Sequence, residues 1–199
     1  MKEYIEVFTP DGNPTGVMKS REEIHRDGLW HNTVHTWIIK KSGMLLIQRR
    51  CATKESHPDM WDVSSAGHIS FGQSSKDAAV REVEEEVGLY IKQSDLEFLF
   101  RFPMDCTLKN GEYLDREHID VYLVEVGDEL STSDLTLQES EVSDAQFVHY
   151  SIIEKMYREF NKKFVQIHDD SYYQLFDILK KRYPVQDLEI NFEIPSFLI

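Results

Sequence analysis

The sequence predicts an α/β fold in which a mixed sheet carries flanking helices. Two observations lead there: short β-branched and aromatic runs stand on both sides of one central helix with clear start and stop signals, and the tail beyond the last run reads as helical.

Taken in order, residues 4–8 and 16–19 flank the turn sequence Pro10-Asp11-Gly12-Asn13-Pro14 and are expected to form a leading hairpin. The stretch 20–41 brings three of the eight histidines, His25, His31 and His35, to the start of a β-branched and aromatic run. Strands are expected at 33–40 and 44–50, joined at Lys41-Ser42-Gly43. Trp61-Asp62-Val63-Ser64 then leads into the segment 67–89, which is dense in carboxylates. Ser74, with Asp77 three residues on, is a capping-box signature, and Gly88 supplies a left-handed stop, so a helix is expected from Ser74 to Val87. Further strands are expected at 89–92, 96–102, 119–126 and 145–151, separated by polar intervals. The tail 152–183 is expected to be helical, with a break near His168-Asp169-Asp170 and a stop at Pro184. Its aromatics Tyr157, Phe160, Phe164, Tyr172, Tyr173 and Phe176 recur at near-helical spacing, which suits helix packing or a homodimer contact.

Composition narrows the functional classes. At 199 residues, 41% hydrophobic and 12% aromatic, the chain is long enough for a single well-packed domain. A net charge of -14 argues against nucleic acid and against anionic membranes as partners. No apolar run reaches membrane-spanning length and the N-terminus lacks the apolar core of a signal peptide, so a cytoplasmic location is expected. The two cysteines, Cys51 and Cys106, form no C-x-x-C pair and are expected to be reduced thiols.

The central helix carries the chemistry. At about 100° per residue, Ala79, Val80, Val83 and Val87 fall on one side while Glu82, Glu85 and Glu86 fall together on another. Like charges at i,i+3 and i,i+4 repel by a few tenths of a kcal/mol per pair, a cost that goes unrewarded unless a cation sits among them. Grouped hard oxygens suit Mg²⁺ or Mn²⁺, whereas a solvated acidic face is the usual fate of such a run. From the helix alone the solvated face is the favoured reading.

Wider spacing adds a resemblance. Gly67, Gln73 after five intervening residues, and Arg81-Glu82-Val83-Glu84-Glu85-Glu86-Val87-Gly88-Leu89 after seven more, resemble the Nudix box, G-x5-E-x7-R-E-U-x-E-E-x-G-U with U aliphatic. Only Gln73 departs, standing where the family has glutamate. The resemblance implies an α/β/α sandwich over 1–199, with a core at about 30–151, an N-terminal hairpin within 1–29 and a helical extension over 152–199. It implies hydrolysis of a small organic diphosphate, of the nucleoside type, with Glu82, Glu85 and Glu86 holding Mg²⁺ or Mn²⁺. Gly67 and Gly88 would then shape the loops around the helix, and Arg81 would brace the carboxylates. Arg49 and Arg50 would end the second strand close to the box, where either can grip phosphate or form an ion pair. Glu82 itself and the loop residues Glu139 and Glu141 are the candidates for a general base; for the loop pair, solvated surface is the alternative. The amide of Gln73 keeps the reach of glutamate and loses its charge, which points to a tuned or weakened site.

A second layer of resemblance lies in RDGLWHNTVHTWI, LLIQRRCATKESHPDMWDVSSAGHI and DREHIDVYLVEV, which are similar to the superfamily branch containing type I isopentenyl diphosphate isomerase. Its metal ligands correspond best to His25, His31 and His68 with Asp115 and Glu117, for which metal ligation and structural hydrogen bonding both remain open. The catalytic cysteine of the isomerase falls at Ala66, and alanine transfers no proton. Together with the acidic REVEEEVG, this favours hydrolysis. An isomerase-like enzyme and a non-catalytic ligand-binding domain are the alternatives. His57, His149 and His168 are expected at the surface or in loops, His35 and His118 as core or edge residues, and Trp30, Trp37 and Trp61 in packing roles.

Overall fold

The computed structural model describes residues 3–166, 170–184 and 194–199. Strands β1 (Tyr4–Phe8) and β2 (Pro14–Ser20) pair antiparallel as the leading hairpin. A short helix that the sequence reading passed over, α1 (Arg21–Asp27), follows directly. Ser20 caps it in a box with Glu23, and Gly28 ends it at φ 61. The main sheet holds β3 (His31–Lys40), β4 (Met44–Arg50), β5 (Trp61–Asp62), β6 (Ser65–His68), β7 (Glu97–Leu108), β8 (Tyr113–Val126) and β9 (Val142–His149). It is mixed: β3 runs parallel to β8 and antiparallel to β4 and β6, and β9 lies antiparallel on β4.

Alternation along β3 divides the core into two layers. Val34 and Ile38 pack with Ala78, Ala79, Val83 and Val87 of α2 (Ser75–Val87). Trp37 and Ile39 face the other way, into a cluster with Ile152, Ile153, Met156 and Tyr157 of α3 (Tyr150–Arg158) and Leu175, Phe176 and Leu179 of α4 (Gln174–Arg182). The result is an α/β/α sandwich. Among the described residues, no helix is long and apolar enough to cross a membrane.

Several boundaries differ from the expectation. Residues 89–92 form no strand; Leu89 and Ile91 pack against the α2 layer instead. β7 and β8 run far into the polar interval, pairing with each other down to Leu108 and Tyr113 across a tight turn at Lys109–Gly111. His149 is buried as the cap of α3, where its ring accepts the Ser151 N–H, so its surface placement is corrected. The tail is not helical up to the expected break: α3 ends at Arg158 and residues 159–166 are irregular, with Phe164 bridged to Trp61; residues 168 and 169 lie outside the described residues, and α4 stops before Pro184 as expected. Of the tail aromatics, Tyr157, Phe164, Tyr172 and Phe176 are core, and Phe160 is exposed. Both cysteines are free thiols.

Candidate active site

Ser74 caps α2 by accepting the Asp77 N–H, and the helix stops at Gly88, φ 69, whose N–H donates to the Glu84 carbonyl. A side chain at Gly88 would drive into the Thr136 backbone. These fixed ends set the rotation of the helix and so aim its carboxylates at a cavity of about 370 Å³ between α2, the sheet and the residue 51–60 loop. Glu82, Glu85 and Glu86 all line it. Glu86 is deepest: its Oε2 accepts the Ala66 N–H at 3.0 Å and the Gln48 side-chain amide at 3.1 Å. Glu82 lies against Gly67, where a β-carbon would overlap its carboxyl. Burial, reinforced by the charge of Glu86, pushes the Glu82 carboxyl up to about 8, and burial also raises Glu86. Glu85 is half exposed.

Arg81 braces this group. Its Nη1 lies 2.9 Å from Glu82 and 3.0 Å from Glu85, and its Nη2 donates to the His68 carbonyl at 2.9 Å and to Gln73 Oε1 at 3.3 Å. Gln73 also accepts the Ser70 N–H. The departing box residue therefore supports the arginine and lies outside the cavity lining.

Cations stand among the carboxylates of the cavity. Arg50, Lys54, Arg21 and Arg81 line it. Arg50 bonds Asp62 at 2.9 Å and both oxygens of Ser56, which fixes the start of the 51–60 loop. Lys54 pairs across the cavity with Glu141. Cys51 ties the same two loops, its thiol donating to the Ser140 carbonyl and its N–H to the Glu141 carbonyl. Arg49 is not brought into the cavity. Neighbouring side chains on a strand point to opposite faces, and that of Arg49 turns out to Asp59.

A second cluster sits at the far wall. α1 supplies His25, β3 His31, β6 His68, and β8 Asp115 and Glu117. The ligand atoms of His25, His31 and His68 lie within 4.8 Å of one another, as do those of His31, Asp115 and Glu117. The Nδ1 atoms of His25 and His31 donate to the carbonyls of Arg21 and Leu29, which turns each Nε2 inward, 3.3 Å from Asp115 for His25 and 3.6 Å from Glu117 for His31. Burial first, then the neighbouring His31 and Arg21, lower the pKa of His68 well below that of a free imidazole. His31 Nε2 and Asp115 Oδ1 are buried without a hydrogen-bond partner. Inward imidazole nitrogens grouped with two carboxylates, two of their atoms without a hydrogen-bond partner, fit a metal ion.

The NUDIX domain profile matches residues 29–167, most of the chain. The chain belongs to the Nudix family. It is 38% identical to Nudix hydrolase 3 of Arabidopsis thaliana over 183 residues, covering 91% of this chain and 24% of that protein, so it spans about a quarter of its relative's length. Isopentenyl-diphosphate Delta-isomerase of Escherichia coli is 28% identical over 148 residues, with coverage of 73% and 76%, so the isomerase branch is among its relatives. The structure of DR0079 from Deinococcus radiodurans superposes with a TM-score of 0.59 at 16% identity, covering 91% of this chain and 99% of that one, which shows the shared fold.

In this Nudix chain the box helix lies where its spacing puts it, and the histidine cluster assembles from four elements. Sequence reasoning missed Lys54, Arg21 and Gln48. Lys54 and Arg21 are single basic residues in polar stretches, with no periodic signal. Gln48 stands in an apolar strand run, and a buried amide there is the cue that would have found it.

Proposed function

We propose that the chain hydrolyses a phosphoanhydride bond in a small organic diphosphate with the help of a divalent cation. The observation that supports this best is the convergence, in one cavity, of Glu82, Glu85 and Glu86 with the cationic Arg21, Arg50, Lys54 and Arg81. Glu82, Glu85 and Glu86 would hold Mg²⁺ or Mn²⁺ through hard oxygens. A divalent ion there supplies neutralisation of diphosphate charge and a more acidic bound water. The ends of α2, Gly67 and Arg81 keep the carboxylates aimed at the cavity. The positive charges of Arg21, Arg50, Lys54 and Arg81 attract the anionic substrate. Glu141, held by Lys54 at the mouth, is the candidate to accept the proton of the attacking water. Water adds to phosphorus, the anhydride P–O bond breaks, and two phosphate products leave. His25, His31, His68, Asp115 and Glu117 would hold a second metal ion.

A panel of nucleotide sugars, dinucleotides, coenzyme A derivatives and prenyl diphosphates, assayed with Mg²⁺ beside Glu85→Gln and Glu86→Gln, tests this. Cleavage of at least one, reduced about a hundredfold in Glu86→Gln, is expected. Binding without turnover across the panel would identify a ligand-binding domain, and isomerisation of a prenyl diphosphate would identify the other branch.

A further inference from the structure

Glu86 is held from behind by a residue that lies outside the cavity lining. Gln48 stands on β4 after Leu45, Leu46 and Ile47, all fully buried, and is itself only 2% exposed. Its Nε2 donates to Glu86 Oε2 at 3.1 Å, while its own carbonyl oxygen is buried with no hydrogen-bond partner. A half-satisfied amide in an apolar strand is costly, and the charge-assisted bond to Glu86 is what offsets that cost here. Turned over, the amide would set its carbonyl against the carboxylate, so charge fixes which end faces Glu86. The same Oε2 accepts a second bond, from the Ala66 N–H at 3.0 Å. A carboxylate oxygen has two lone-pair directions, and these two donors occupy both. Glu86 lines the cavity, and Oε1 is the oxygen it has left for an ion there.

We propose that Gln48 is a metal-selectivity residue: by occupying Oε2 it restricts Glu86 to coordination through one oxygen, which favours Mg²⁺ or Mn²⁺ over Ca²⁺. The proposal rests on reading Glu82, Glu85 and Glu86 as a cation site. Mg²⁺ demands a near-ideal octahedron, and a carboxylate gripping with both oxygens subtends too narrow an angle for it. Ca²⁺ takes about six to eight oxygens in flexible geometry and readily uses both oxygens of one carboxylate. Denying Glu86 its second oxygen therefore costs the small ion nothing and the large ion a ligand. Of the two donors, the Ala66 N–H belongs to the backbone and stays whatever side chain residue 66 carries. Gln48 is thus the half of the clamp that a substitution can release, and it acts as a positioning residue through Glu86.

Thermal melts of the full chain titrated with MgCl₂ or CaCl₂ give an apparent affinity for each ion. Gln48→Met keeps an unbranched side chain of similar length and removes the donor. Its Mg²⁺ affinity is expected to fall about tenfold, as for loss of a bond supporting a metal ligand, and its Ca²⁺ affinity by less than about threefold, because the freed lone pair lets Glu86 grip the larger ion with both oxygens. On a Glu86→Gln background, Gln48→Met should leave the ratio of the two affinities unchanged. Equal losses for the two ions, no loss for either, or the same change of ratio on the Glu86→Gln background would overturn the inference. A wild-type crystal soaked with Mn²⁺ reads the same point without any variant. One Glu86 oxygen on the ion is expected, and both oxygens within about 2.6 Å of it would overturn the inference. A wild-type response to Mg²⁺ that Glu86→Gln leaves intact would instead sink the cation-site reading itself, and this inference with it.

Discussion

Replacing Gly67 with alanine tests whether a missing side chain is what admits Glu82 to the cavity. Gly67 does not have the positive φ that makes glycine obligatory at several turns, so the added methyl group strains no backbone. Its whole effect comes from overlap with the Glu82 carboxyl. Two opposing terms set the magnitude. Overpacking costs about 1–3 kcal/mol. Expelling Glu82 relieves burial of a group whose pKa stands at about 8, and a displacement of that size at pH 7 is worth about 3 kcal/mol. The metal-free variant should therefore be as stable as the wild type or up to about 2 kcal/mol more stable. Metal response should separate them. A divalent ion at a hundred times its dissociation constant stabilises the folded state by about 2.7 kcal/mol, and the variant should lose most of that shift. Thermal melts with and without Mg²⁺ measure both quantities. An undiminished Mg²⁺ shift in Gly67→Ala would refute the argument that Glu82 must occupy the space beside residue 67.

Three further outcomes follow from the same geometry. Arg49→Ala removes an exposed pair with Asp59 and should change stability by less than about 0.5 kcal/mol and leave KM alone, whereas Arg50→Ala opens a nearly buried pair with Asp62 and should cost about 3 kcal/mol in urea denaturation. His31→Ala should lower tightly bound transition metal, measured by elemental analysis of the purified protein; unchanged metal content would assign the cluster a purely structural role. Gln73→Glu places a carboxylate against Arg81 and should reduce the Mg²⁺ concentration for half-maximal activity by about threefold, the size of a partly exposed charge contact, and an unchanged titration would confine residue 73 to bracing.

The box helix was legible because its caps, its apolar stripe and its carboxylates are all local features. α1 carries the same kind of signal, Ser20 with Glu23 and a closing Gly28, yet has only seven residues and buries two of them, too few for periodicity to show. Residues 89–92 look like a strand by composition. Gly88 turns them onto the α2 layer, away from any sheet edge, so tertiary position overrides local preference. The opposite error at 103–118 has a functional cause. Asp115 and Glu117 are polar because they face the cavity, and their polarity hides a strand whose ladder with β7 continues to the hairpin turn. Arg49 and Arg50 were interchangeable by sequence; the alternation of β4 decides between them. The histidine cluster was recoverable only through resemblance, since no spacing rule joins residues from α1, β3, β6 and β8.

His31 and Glu117 are register partners in the parallel pairing of β3 with β8, the innermost ladder of the sheet. The backbone positions of these two residues therefore part only when that ladder opens, and central strands open at free energies near that of global unfolding. Glu85, by contrast, is half exposed on a helix surface and can leave by rotating its own side chain. The two ends of the cavity should thus differ in stiffness: the acidic helix end rearranges by a side-chain rotation, while the backbone frame of the imidazole wall lasts as long as the sheet.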